Sequence, residues 1–158
     1  MNRNFPTPIS SGEAFVAMDR LLDNAVTGPL YLKRPEMGAM VVDAIRYQDG
    51  RQFELHAYVV MANHVHLLIT PLVEVPTLTR SLKRFTARRG NMMLGVVGQP
   101  FWQDESYDRM VRNDTEFQNI ARYIEWNPVQ AGLVLTPEEF PWSSASEFTH
   151  LPHKVAGA

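Results

Sequence analysis

The chain has 158 residues, enough for one domain that buries roughly two-thirds of the surface its unfolded form exposes. Its 45% hydrophobic and 20% charged residues exclude wholesale disorder, and no apolar run reaches the ~18 residues of a membrane-spanning helix. With no cysteine, disulfides, thiol nucleophiles and Cys-based zinc sites are excluded.

The first residues, Met1 to Pro6, show no basic-then-apolar leader pattern, which argues against export, and the lack of cysteine fits the cytoplasmic location expected here. The formal charge of −2, taken as a whole-chain average, disfavours a polyanion partner, but the charge is unevenly spread. From Val75 to Gln103 there is no acidic residue and there are five basic ones, Arg80, Lys83, Arg84, Arg88 and Arg89. From Asp104 onward nine acidic residues face four basic ones. The basic island is either a polyanion footprint or a solvated helix face.

In chain order, Ser10 and Glu13 form a capping box. Phe15, Met18, Leu22 and Ala25 keep helical spacing up to Gly28-Pro29. Leu30 to Leu32 is a short extended piece. Pro35 opens a second helix with Met37, Met40, Val41, Ala44 and Ile45 as its buried stripe, closed by Asp49-Gly50. Phe53 to Met61 and His64 to Ile69 are strands of a hairpin, with Phe53, Leu55, Ala57 and Val59 on one face.

A third helix, about Thr77 to Met93, carries the basic island. Leu78, Leu82 and Phe85 face inward, and Arg80, Arg84 and Arg88 share another face. A glycine-bearing loop and a short strand, Tyr107 to Arg112, follow. Asn113 or Asp114 caps a fourth helix with Phe117, Ile120, Ala121 and Ile124 buried. Pro128 ends or breaks that helix. The order predicts an α+β domain with helices on one face of an antiparallel sheet.

Two residue groups carry chemistry. His64 and His66 are two apart on a strand, so both imidazoles stand on one face. They either hold a divalent metal or hydrogen-bond at a wet face. A third donor must come from elsewhere; His56 is one candidate, with its parity relative to His64 unresolved. Tyr123 and Asn127 lie four apart on the fourth helix, presenting a phenol and an amide on adjacent turns. The bland alternative is a packing tyrosine and a capping asparagine. Glu116, Asn119 and Gln130 are weaker candidates for the same wall.

Met61 to Ile69 (MANHVHLLI) resembles the HUH motif of the single-tyrosine transposases. The segments Trp102 to Arg112 (WQDESYDRMVR), Arg122 to Val134 (RYIEWNPVQAGLV) and Pro141 to Ala145 (PWSSA) resemble the rest of that family, most closely its REP-associated tyrosine transposase branch. The resemblance covers about residues 30–148. It implies a ferredoxin-like HUH domain in which His64, His66 and Asn127 hold Mg²⁺ or Mn²⁺. Tyr123 would be the nucleophile toward a DNA phosphodiester, leaving a 5′-phosphotyrosine and a free 3′ hydroxyl. The substrate would be single-stranded or hairpin DNA, with Arg80, Lys83, Arg84, Arg88 and Arg89 near it. Trp102, Tyr107 and Trp126 are stacking candidates.

One family feature is not legible. The expected first strand is not found, so residues 1–29 are expected to form an N-terminal segment lacking it, 30–148 the catalytic-type domain and 149–158 a flexible tail. A sheet short of one strand would point to a truncated or mis-started gene, to a homodimer or other partner that donates a strand, or to a catalytically inactive hairpin-binding relative.

Overall fold

The computed structural model describes residues 15–22, 34–96, 98 and 100–150. Four strands, β1 (Phe15–Leu22), β2 (Phe53–Val60), β3 (His64–Pro71) and β4 (Trp102–Val111), form one sheet in the order β2-β3-β1-β4. Every neighbouring pair is antiparallel. The helices are α1 (Pro35–Gln48), α2 (Val75–Leu94), α3 (Asp114–Gln130) and α4 (Ser144–His150), with a 3₁₀ turn at Pro137–Glu139. The β1-α1-β2-β3-α2-β4 order with this strand arrangement is the ferredoxin-like topology.

The strand expected to be missing is present at the centre of the sheet. Phe15 to Leu22 forms β1 rather than part of a helix, paired with β3 on one side and β4 on the other. Val16 and Met18 point into one core, and Ala17 packs against the other. A strand covered on both faces loses the polar alternation that marks a strand, and a short apolar run then fits a helical spacing equally well. The sheet therefore needs no donated strand at this position. The predicted Ser10–Glu13 box and the Leu30–Leu32 piece lie outside the described residues.

Helices cover both faces, not one. On the first face Val16, Met18, Val65, Leu67 and Ile69 pack against Met37, Val41 and Ile45 of α1 and Leu78 and Leu82 of α2. On the second, Ala57, Val59 and Leu68 pack against Phe117, Ala121 and Ile124 of α3. Burying one such aliphatic side chain stabilises by about 1.5–3 kcal/mol. The predicted α1 stripe is buried in full.

Two local departures have physical causes. The expected face Phe53, Leu55, Ala57, Val59 is split by an irregularity between Leu55 and Ala57. One extra residue, His56, changes the parity, so Phe53 and Leu55 join the first core while Ala57 and Val59 join the second. Pro128 does not end α3, which runs on to Gln130 and stops before Gly132 at φ 74°. Pro128 is itself buried, and that packing offsets the missing amide donor. Asn113 caps α3 as expected, its Oδ1 accepting the Glu116 amide at 2.9 Å.

The C-terminal segment ties the layers together. The Trp142 carbonyl accepts the Val60 amide at 2.8 Å, and Ser143 forms a bridge to Val59. The Trp142 indole lies so close to Gly38 of α1 that a Cβ there would sit 2.9 Å from it. These contacts cover the outer edge of β2, which would otherwise present unpaired amides.

Candidate active site

The alternation of β3 separates its residues cleanly. Val65, Leu67 and Ile69 enter the first core, which leaves His64 and His66 on the face of α3. The two imidazoles meet edge to face with ring centroids 4.5 Å apart. His66 is only 9% exposed, while His64 is half-buried. His64 Nδ1 stands 2.6 Å from Asn63 Oδ1. An amide oxygen only accepts, so Nδ1 donates, and in the neutral ring Nε2 then carries the lone pair. That is the tautomer a histidine needs to bind a metal through Nε2.

Helix α3 brings Tyr123 to this pair. Its ring centroid lies 5.9 Å from that of His66, and the side chain is 52% exposed. The phenol is thus anchored on one side and open on the other. Asn127 is half-buried one turn further along α3. Trp126, 46% exposed and three residues from Tyr123, shares the outer surface of the helix. On β1, Asp19 is paired with His66 on one side and with Tyr107 of β4 on the other.

Two adjacent imidazoles are donors that suit a borderline divalent ion. Among the described residues no group of three or more His, Cys, Asp or Glu comes together. His56 does not join the site. The bulge puts it on the α3 face, but at the other end of the strand, where its Nε2 is 2.7 Å from Thr70 Oγ1 and its ring meets Phe117. Glu116 is also elsewhere employed. It accepts the Arg112 amide and forms an ion pair with Arg109 at the start of α3.

Sequence reasoning missed Glu125. This carboxylate is 4% exposed on α3, the helix of Tyr123, and accepts a 2.7 Å hydrogen bond from Ser144 Oγ. The same Oγ accepts the Tyr58 amide at 3.1 Å. Ser144 of the PWSSA segment therefore clamps α3 to β2. The signal was available: Glu125 is four residues after Ala121 and eight after Phe117, a charged residue in an apolar stripe.

The basic island is divided by α2. Arg80, Arg84 and Arg88 line one open groove with Thr77, Ser81 and Phe85. Arg89 lies over the Phe85 ring at 5.9 Å. Lys83 is half-buried on another side of the helix, beside Thr86 and Trp102. Phe85 is 50% exposed, contrary to the expected inward face; Leu78, Leu82, Thr86 and Gly90 make that face instead. Of the stacking candidates, Trp102 belongs to the core, its Nε1 donating to Thr86 Oγ1 at 2.8 Å. Because α2 packs on the first face, the groove lies across the sheet from Tyr123.

A ferredoxin-like sheet carrying paired histidines opposite a tyrosine-bearing helix is the arrangement that the resemblance to single-tyrosine transposases implies. The family described as "Transposase IS200 like" matches residues 41–127, and the chain belongs to that family. It is 28% identical over 100 residues to the REP-associated tyrosine transposase of Escherichia coli (strain K12). That match covers 63% of this chain and 59% of the relative, so the chain matches about six-tenths of the relative's length. A solved REP-associated tyrosine transposase, bound to a REP hairpin, has a similar fold at TM-score 0.64 and 23% identity. That likeness spans 100% of this chain and 91% of the other. Among the described residues no helix is long and apolar enough to cross a membrane.

Proposed function

We propose that this chain is a metal-dependent transposase that cleaves and rejoins single-stranded DNA beside a hairpin, with Tyr123 as nucleophile. The observation that carries the reading is the approach of a half-exposed Tyr123 to His66, itself in ring contact with His64. The similarity to REP-associated transposases, one of them bound to a hairpin, supports the choice of DNA.

His64, His66 and Asn127 would hold Mg²⁺ or Mn²⁺. A cation bound there offsets charge on the phosphoryl oxygens and orients the phosphate. Tyr123 Oη attacks phosphorus and forms the new P–O bond as the bond to the 3′ oxygen breaks. The phenolic proton leaves to solvent, and the 3′ oxygen gains one to become a hydroxyl. The 5′-phosphotyrosine keeps the bond energy, so a 3′ hydroxyl can attack it and restore a phosphodiester without a nucleotide cofactor. Asn63 holds His64 in the ligating tautomer. Trp126 offers a face for an unpaired base beside the reacting phosphate.

The alternative of an inactive hairpin-binding relative rested on a missing first strand, and β1 removes that premise. The test is a labelled single-stranded hairpin incubated with the protein and Mn²⁺. An SDS-resistant adduct is expected from the native chain and none from Tyr123→Phe; an adduct that survives the substitution overturns the assignment. His64→Ala and His66→Ala should each weaken Mn²⁺ binding measured directly by calorimetry.

A further inference from the structure

The groove on α2 lies on the wrong side of the sheet to form part of the Tyr123 site, yet it has the features of a nucleic-acid surface. It is an open groove of about 450 Å³ lined by Thr77, Arg80, Ser81, Arg84, Phe85 and Arg88. Arg80, Arg84 and Arg88 follow one another at four-residue intervals, so successive guanidinium groups project from points about 6 Å apart along the axis. Among the described residues none of the three has an ion-pair partner. Three uncompensated charges in one row are matched by a polyanion of regular spacing, not by an acidic side chain or two.

The second observation is aromatic. Phe85 leaves the expected core face and stays 50% exposed in the groove with Arg84 and Arg88, an aromatic ring open to a partner. Arg89 lies over one part of its ring. At the neighbouring end of α1 the arrangement recurs. Arg51 sits 4.5 Å from the ring centroid of Tyr47, which is 63% exposed, and Gln52 Nε2 donates to Ser81 Oγ of the groove at 3.5 Å. Arginine interleaved with exposed rings suits a polymer with both phosphates and unpaired bases. A duplex stem keeps its bases stacked inside and cannot use Phe85.

We infer that the α2 groove is a second DNA site, which binds a single strand outside the reacting segment, with Arg80, Arg84 and Arg88 on its phosphates and Phe85 stacked on a base. Because α2 and α3 cover opposite faces, a strand held at Tyr123 reaches this groove only by passing around an edge of the sheet. The groove therefore engages nucleotides remote from the cleaved bond. The choice of DNA over RNA rests on the proposed transposase reading.

The experiment uses the full chain carrying Tyr123→Phe, so that binding is read without cleavage. The probe is fluorescein-labelled oligo-dT of about 12 nucleotides, within the usual footprint of a single-strand groove. Adding Phe85→Ala should weaken binding about 5-fold or more, and Phe85→Trp should preserve or tighten it. Arg88→Ala should lower the slope of log K against log salt by about 0.7. Phe85 is half-exposed, so circular dichroism melting should be unchanged by its replacement. The inference is overturned if Phe85→Ala binds like its parent, if Phe85→Trp fails to restore binding, or if a blunt duplex displaces the probe as well as unlabelled oligo-dT does. Adduct formation by the native Tyr123 chain is scored separately. No adduct with the expected oligo-dT behaviour sinks the transposase reading and keeps the groove. An adduct with binding insensitive to Phe85 sinks the groove alone.

Discussion

Replacing Ser144 with alanine probes the link between the C-terminal segment and α3. Ser144 Oγ donates to the buried Glu125 carboxylate at 2.7 Å and accepts the Tyr58 amide at 3.1 Å. Both partners lie in a region closed to water, with Ser144 5% exposed and Glu125 4%. Removing one partner of a buried polar group costs about 1–3 kcal/mol, at the upper end or beyond for a charged one. Glu125 keeps a further interaction, so a loss of about 3 kcal/mol is expected, at the top of that range rather than two full penalties. For a chain of this size that corresponds to a fall in Tm of about 6–12 °C. Thermal unfolding by circular dichroism at neutral pH measures it. A cycle with Glu125→Gln should show a coupling of about 1 kcal/mol or more, because the two side chains touch. If Ser144→Ala melts within about 2 °C of its parent, less than 1 kcal/mol on the same scale, the clamp has no energetic reality.

Three further outcomes follow from other contacts. In Gly90→Ala the new Cβ would stand 2.6 Å from the ring of Phe101, which is buried in the first core, so overpacking should cost about 1–3 kcal/mol and lower the urea midpoint at unchanged m. Asn113→Ala removes the acceptor for the Glu116 amide and should cost about 0.5–2 kcal/mol in the same assay, whereas Asn113→Asp should retain most of it. The Tyr58 hydroxyl is pushed up by burial first and by the Glu147 carboxylate second, so the folded state holds that proton more tightly than the unfolded chain. The associated stability is complete below about pH 10 and declines as pH rises above it, and urea titrations of Tyr58→Phe should lack that share of the alkaline loss.

Much of the site was legible because its determinants are local. A strand alternates with period two, so His64 and His66 had to share a face once β3 formed. A helix repeats every 3.6 residues, so Tyr123 and Asn127 had to occupy adjacent turns. What spacing could not supply was which face each element turns toward the other. His56 illustrates the gap: the bulge puts it on the histidine face yet bonds it to Thr70, remote from the pair. Glu125 illustrates another, since its partner Ser144 lies 19 residues away and belongs to a different layer.

The amino-acid sequence by itself determined the α1 stripe, the β2–β3 hairpin, the Asn113 cap, the basic island on α2 and the pairing of the two histidines. Each of these follows from residues a few positions apart. Tertiary structure decided that Phe15 to Leu22 is the central strand, because only β3 and β4 together supply partners for its backbone and only two helical layers cover its faces. It likewise decided that α3 carries Tyr123 to His66 on one side of the sheet, while α2 holds Phe85 and its arginines on the other. Those are contacts between segments distant in the chain, and a local period carries no information about them.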